Sequence, residues 1–145
     1  MVKFPFTKIQ MTMGKKIKEN ELFEKLKSFF PDLVQSSQFD SWDCFTAKHN
    51  TVIELKCRNV HYDELIIERI KWDALAHKRA SEALGTIYVC WTPKGTWAWN
   101  LGSINAPEWH IKRLPRTTEH LARDWINKEV GYLHIDQATR VKLPE

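Results

Sequence analysis

Two charged residues inside an apolar segment constrain this chain more than any other feature. The segment Thr51 to Cys57, TVIELKC, is rich in β-branched and apolar residues, which is typical of a buried strand. It nevertheless contains Glu54 and Lys56. Burying a charge in a strand is costly unless the charge is paired or binds an ion. The sequence therefore predicts a charged partner or a bound ion beside these two side chains.

A preceding strand completes a hairpin. The segment Trp42 to Ala47 alternates aromatic and small residues, and the polar turn Lys48-His49-Asn50 follows it. This turn predicts a register that places Asp43 opposite Lys56, with Glu54 on the same face of the sheet. Two carboxylates and an amine are thus expected to converge there.

Composition limits the class of protein. The chain has 145 residues, 43% of them hydrophobic, which is enough to bury a core and is expected to form one domain over residues 1–145. It contains no apolar run of about 20 residues and no apolar secretion signal, so we expect no membrane partner and a cytoplasmic location. The three cysteines lack metal-binding spacing and are expected to be buried free thiols. The net charge of +4 is compatible with an anionic partner such as DNA.

A helix is predicted before the hairpin, from Lys15 to Phe30, ending at Pro31. If it extends back to Glu19, that carboxylate faces inward with the apolar stripe. In the alternative, Asn20 caps a shorter helix and Glu19 is solvated. The stripe consists of Leu22, Phe23, Leu26, Phe29 and Phe30.

The rest of the chain continues the alternation of helices and strands. In order, the patterns predict a helix from Tyr62 to Leu84, a buried strand from Thr86 to Thr92, a strand from Thr96 to Leu101, a loop from Gly102 to Arg116, a helix from Thr117 to about Lys128, a strand from Val130 to Ile135 and a polar tail. This order predicts an α/β sandwich around a small sheet.

Carboxylates on adjacent strands can hold Mg²⁺, which takes hard oxygen ligands and needs only one or two protein carboxylates. Lys56 would then orient or help to deprotonate an attacking water and offset charge on the phosphorus. Asp43, Glu54 and Lys56 therefore indicate a phosphodiester hydrolase. The alternative is a buried salt bridge between neighbouring strands.

The pattern Glu19, Asp43, Glu54-Leu55-Lys56 within helix, strand, strand, helix and strand resembles the PD-(D/E)XK nuclease superfamily. The resemblance covers about residues 14–101, with the predicted helix and strand of 117–135 outside it. It implies a restriction-endonuclease-like fold, an α/β/α core of three layers with a small mixed sheet. It also implies that Asp43, Glu54 and Glu19 bind Mg²⁺, for which Mn²⁺ could substitute, and that Lys56 is the catalytic lysine.

Two departures from the family pattern bear on the site. Trp42 precedes Asp43 where the family commonly has proline. Asp40 could replace Asp43 as the ligand if the register differs, although strand alternation places it on the opposite face unless a bulge intervenes.

The resemblance further implies a DNA nuclease. This is either a dimeric resolvase of junctions or branched DNA, or an enzyme that nicks DNA or cuts single strands. The style of the sequence suggests that it is encoded by a phage or a mobile element. The rivals are an inactive nucleic-acid-binding protein on the same fold and an unrelated α/β interaction protein. Cations that could contact DNA phosphates are Lys15, Lys16, Lys71, Lys112, Arg113 and Arg116.

Overall fold

The structure is a computed structural model, and it describes residues 17–35, 43–116 and 124–145. Within these ranges it has two α-helices, nine strands and two short 3₁₀ helices. The helices are α1 (Glu19–Leu26) and α2 (Arg69–Glu82), and the 3₁₀ helices are Leu101–Ser103 and Ile135–Gln137. The strands are β1 (Val34–Gln35), β2 (Asp43–Thr46), β3 (Thr51–Cys57), β4 (Glu64–Glu68), β5 (Gly85–Thr92), β6 (Gly95–Asn100), β7 (His110–Pro115), β8 (Trp125–His134) and β9 (Thr139–Val141).

The main sheet is mixed and has the order β1-β2-β3-β5-β6-β9. Only β3 and β5 are parallel; the other neighbours are antiparallel. These two central strands come from segments rich in β-branched and apolar residues, as expected for strands that are covered on both faces. Gly85 is needed where they meet, because a Cβ at this position would lie 2.7 Å from Thr51 Oγ1.

Each face of the main sheet is covered by a separate layer. On one face α1 packs its apolar side onto β3 and β5, with Leu22 and Leu26 against Ile53 and Val89. The other face is covered by α2 and by a second, antiparallel sheet of order β4-β8-β7. The predicted α/β core of three layers around a small mixed sheet is therefore present, with three strands added to one outer layer.

The predicted helix from Tyr62 to Leu84 is wrong in its first part. Residues Glu64–Glu68 form β4, which buries Leu65 and Ile67 and pairs with β8. The helix begins only at Arg69, because the backbone of Glu68 is extended. At its end Ala83 takes the left-handed conformation that glycine most often occupies at the end of a helix.

Other boundaries also differ from the prediction. Helix α1 ends at Leu26 rather than at Phe30, and Phe29 is exposed rather than part of the apolar stripe; Lys15 and Lys16 lie outside the described residues. The predicted loop from Gly102 to Arg116 contains β7, and β9 lies in the predicted polar tail. The predicted helix from Thr117 to Lys128 is wrong over residues 125–128, where β8 has already begun; its residues 117–123 lie outside the described part of the chain.

Candidate active site

The hairpin β2–β3 brings two acids together, in a register that differs from the predicted one. Asp43 lies opposite Glu54 and not opposite Lys56, because the four-residue connection begins at Ala47, one residue earlier than expected. Asp32 holds the connection in this form: its carboxylate accepts hydrogen bonds from Thr46 Oγ1 at 2.8 Å and from the Lys48 backbone N–H at 2.9 Å. The pairing shifts by two residues, so all three predicted site residues still share one face.

Burial sets the electrostatics of this acid pair. Glu54 is only 5% exposed. Its burial, together with its hydrogen bond to Asp43, raises the pKa of Glu54 to about 9, although Lys71 opposes the change. Burial also raises the pKa of the neighbouring Cys44 thiol to about 12, and the charges of Asp43 and Glu54 add to that effect. The fold therefore places two carboxyl groups side by side, and burial favours the protonated form of one of them.

Among the described residues, Lys71 is the cation that forms salt bridges with this pair. Its Nζ lies 3.2 Å from Glu54 Oε1 and 3.8 Å from Asp43 Oδ1. Lys71 opposes the rise in the pKa of Glu54, and the buried Oε1 of Glu54 meets no geometric criterion for a hydrogen bond within the described residues. The sequence had indicated Lys71 only as a possible phosphate contact. Its place beside the acids depends on where α2 begins, which no local pattern revealed.

Lys56 projects from the same face of β3 as Glu54, one pleat further along. Burial lowers the pKa of Lys56, and the nearby Arg58 adds to this effect. The carboxylates of Glu19, Glu54 and Glu68 oppose the change. Lys56 is therefore a partly desolvated amine close to three acids, which suits proton transfer or contact with an anionic transition state.

Glu19 begins α1 and faces inward, as one of the two alternatives predicted. Its Oε2 accepts a hydrogen bond of 3.0 Å from the backbone N–H of Cys57. Since the N–H of Arg58 bonds to β5, the N–H of Cys57 points to the opposite edge of β3, the β2 side. Glu19 thus holds the end of the strand that carries Glu54 and Lys56.

The donor set fits a hard divalent cation. Asp43 and Glu54 offer carboxylate oxygens, and Glu54 Oε1 is buried and accepts no hydrogen bond from the described part of the chain. The ranges 17–35, 43–116 and 124–145 contain no group of three or more His, Cys, Asp or Glu side chains that could hold a metal ion. Two carboxylates are sufficient for Mg²⁺, which completes its shell with water and phosphate oxygens. A role for Glu19 in binding the ion remains a prediction.

The predicted phosphate-binding cations lie in several places. Lys15, Lys16 and the alternative ligand Asp40 are outside the described residues. Lys112 and Arg113 are exposed on β7, and Lys112 lines a groove of about 700 Å³ that also includes Arg58. Arg116 follows β7 and pairs with Asp124 at 3.5 Å. Contact of these residues with DNA remains a prediction.

Comparison with known proteins supports the fold. No protein-family model and no curated protein matches the sequence. A solved structure of Hjc, a Holliday junction resolvase from the archaeal hyperthermophile Archaeoglobus fulgidus, superposes with a TM-score of 0.52 over 86% of this chain and 93% of that chain, at 10% identity. At this identity the likeness establishes the fold. The predicted restriction-endonuclease-like architecture is therefore confirmed. In the described residues, no helix is both long and apolar enough to span a membrane.

Proposed function

We propose that this chain is a metal-dependent DNA nuclease of the PD-(D/E)XK superfamily. One observation carries the proposal. Asp43 and Glu54 are cross-strand neighbours on the face that also presents Lys56, in a fold shared with a Holliday junction resolvase. Three ionisable groups on a buried sheet face destabilise an ordinary core, and a phosphodiester hydrolase needs all three.

Each residue has a role in this proposal. Asp43 and Glu54 would hold the divalent cation, and Glu54 would release its proton to solvent when the cation binds. When bound, Mg²⁺ or Mn²⁺ supplies positive charge to the scissile phosphate and activates water. Lys56 orients the attacking water and contacts the phosphorane oxygens, while Glu19 positions the end of β3 through the backbone of Cys57.

The proposed substrate is DNA with a branched or otherwise structured form. The described residues of each chain contain one such carboxylate pair, and symmetric cutting of two strands of a junction by this pair requires two copies. We therefore propose a homodimer when the protein acts on a four-way junction. Light scattering of the protein with and without a junction tests this assembly.

Cleavage of a DNA panel tests the function. The panel comprises single-stranded, duplex, nicked and four-way-junction DNA, with Mg²⁺, Mn²⁺ or EDTA. We expect wild type to cut at least one of these DNAs only with metal, and Asp43→Asn to be inactive but folded. Glu64→Gln is the matched control, because it removes an acid from an exposed position on β4. Equal cutting in EDTA, or by Asp43→Asn, would contradict the proposal.

An inactive DNA-binding protein on the same fold is the second candidate. It is favoured by one observation: no third acid joins Asp43 and Glu54 in the described residues, where Lys71 already pairs with both. Binding of the panel without cleavage by either metal would support it.

A further inference from the structure

The ammonium of Lys71 lies where a cation shared by the two acids would be expected. Its Nζ is 3.2 Å from Glu54 Oε1 and 3.8 Å from Asp43 Oδ1. We propose that Lys71 is a built-in counter-ion, which occupies the cation site of the carboxylate pair and leaves it when a divalent ion binds. This inference rests on the proposed function, because it needs the acids to be metal ligands.

The two cations cannot share the site at these distances. A Mg²⁺ ion sits about 2.0–2.1 Å from its ligand oxygens. An ammonium that keeps its contacts to the same two oxygens would then lie only a few ångströms from the ion. At this separation two like charges repel strongly even when they are partly screened. Metal binding therefore requires Lys71 to move.

The structure allows the side chain to move while the helix stays fixed. Helix α2 is anchored by Trp72 and Leu75, both buried in the core between the two sheets. The Lys71 side chain is 28% exposed, so its flexible stem can carry the ammonium outward into solvent. In that position the amine lies at the mouth of the site, available to a phosphate of the substrate. Lys71 thus offsets the negative charge of the acid pair when no metal is bound, and the metal ion displaces its ammonium on binding.

Metal affinity is the direct test. We expect Lys71→Met, which keeps the length of the stem and removes the charge, to bind Mn²⁺ about 10 to 100 times more tightly than wild type in calorimetric titrations at fixed pH and ionic strength. Lys78→Met is the matched control, because it makes the same change two turns further along α2. We expect it to bind Mn²⁺ as wild type does. An affinity of Lys71→Met equal to or weaker than that of wild type would overturn the inference.

A further variant separates this inference from the proposed function. If Asp43→Asn loses the Mn²⁺ binding of wild type but Lys71→Met binds like wild type, only the role of Lys71 is wrong. If Asp43→Asn and wild type bind Mn²⁺ equally, the carboxylate pair is not the metal site and both proposals fail.

A measurement on wild type avoids dependence on the folding of a variant. Amine acetylation with an N-hydroxysuccinimide ester, read by mass spectrometry, reports the accessibility of each lysine. We expect saturating Mn²⁺ to increase the modification of Lys71 at least several-fold and to leave Lys78 unchanged. Unchanged modification of Lys71 at a Mn²⁺ concentration that calorimetry shows to be saturating would contradict the displacement.

Discussion

Helix α2 makes two ionic clusters within its first two turns, and they differ mainly in burial. The acid-pair cluster consists of Lys71, Asp43 and Glu54, whose side chains are 28%, 19% and 6% exposed. The surface cluster consists of Arg69, Asp73 and Glu129, whose side chains are 43%, 62% and 48% exposed. Both place a cation between two carboxylates within 4 Å. Burial raises the pKa of Glu54 in the acid-pair cluster to about 9, whereas the charges of the surface cluster lie where water screens their interactions.

The difference indicates what each cluster is for. Exposed ion pairs contribute little to the free energy of unfolding and lose little hydration on folding. The surface cluster therefore needs no function beyond solubility and a small stabilisation. Buried carboxylates are costly to desolvate, and an apolar pair on β2 and β3 would make a better core. Under the proposed function, the acid-pair cluster is the part of the fold in which stability is given up for catalysis. Equivalent substitutions in the two regions test this comparison.

Among substitutions of cations, the largest expected effect is at Lys56, the lysine next to the acid pair. Lys56→Met removes the amine and keeps the stem, so the protein should fold while metal-dependent cleavage falls by about 10²- to 10⁴-fold. Arg69→Met in the surface cluster should leave the rate within a factor of about two, because an exposed pair contributes little. Single-turnover cleavage of the preferred DNA measures both. Equal losses in the two variants would remove the distinction between the clusters.

Glu54 should make the stability of the protein depend on pH. The folded-state pKa of Glu54 is raised from its usual 4.5 to about 9, so folding takes up a proton in this range. The stabilisation by that proton is complete below pH 4.5 and is lost as the pH rises toward 9, at no more than about 1.4 kcal/mol per pH unit.

Urea unfolding in EDTA between pH 5 and 8 measures this slope. We expect wild type to lose stability relative to Glu54→Gln as the pH rises from 5 to 8. A constant difference between wild type and Glu54→Gln would show that Glu54 ionises normally in the folded protein.

A smaller effect is expected at the start of α1. Glu19→Ala removes the acceptor for the Cys57 backbone N–H and should lower the free energy of unfolding by about 1–2 kcal/mol. Glu21→Ala, an exposed acid one residue beyond Asn20 on the same helix, should change it by less than about 0.5 kcal/mol. Chemical denaturation measures both. If the two variants are equally stable, Glu19 does not hold the end of β3.

The smallest effect should come from the surface cluster itself. Arg69→Gln removes the contacts to Asp73 and Glu129 and should lower the free energy of unfolding by less than about 1 kcal/mol at low salt. In 1 M NaCl the difference from wild type should shrink further, because the Debye length falls to about 3 Å. Thermal melts of wild type and Arg69→Gln at the two salt concentrations measure this difference. A large difference that salt does not reduce would mean that this cluster is also structurally important.

The sequence predicted the hairpin and the central strand because their signals are local. Thr51–Cys57 and Gly85–Thr92 are almost continuous β-branched and apolar runs, bounded by turn residues. The shared face of Asp43, Glu54 and Lys56 was also predictable, even though the register was wrong by two residues. Strand alternation has a period of two, so this error left every side chain on its face.

The second sheet could not be predicted, because its strands depend on partners far away in sequence. Strand β4 runs directly into α2, and its residues Glu64–Glu68 are equally compatible with a helix until β8 pairs with them. Strand β7 is mostly exposed and basic, which removes the alternation that marks a strand. The role of Lys71 was missed for the same reason, since its distance to Asp43 depends on where β4 ends.

The central claim is that Glu54 is retained for catalysis at the expense of stability. The most direct measurement compares Glu54→Gln with wild type in two assays, metal-dependent DNA cleavage and unfolding in EDTA at pH 8. We expect cleavage to be abolished and the free energy of unfolding to rise by roughly 1–3 kcal/mol, because a buried ionisable group has been replaced by a neutral one. A variant that still cuts DNA, or that loses stability, would contradict this account.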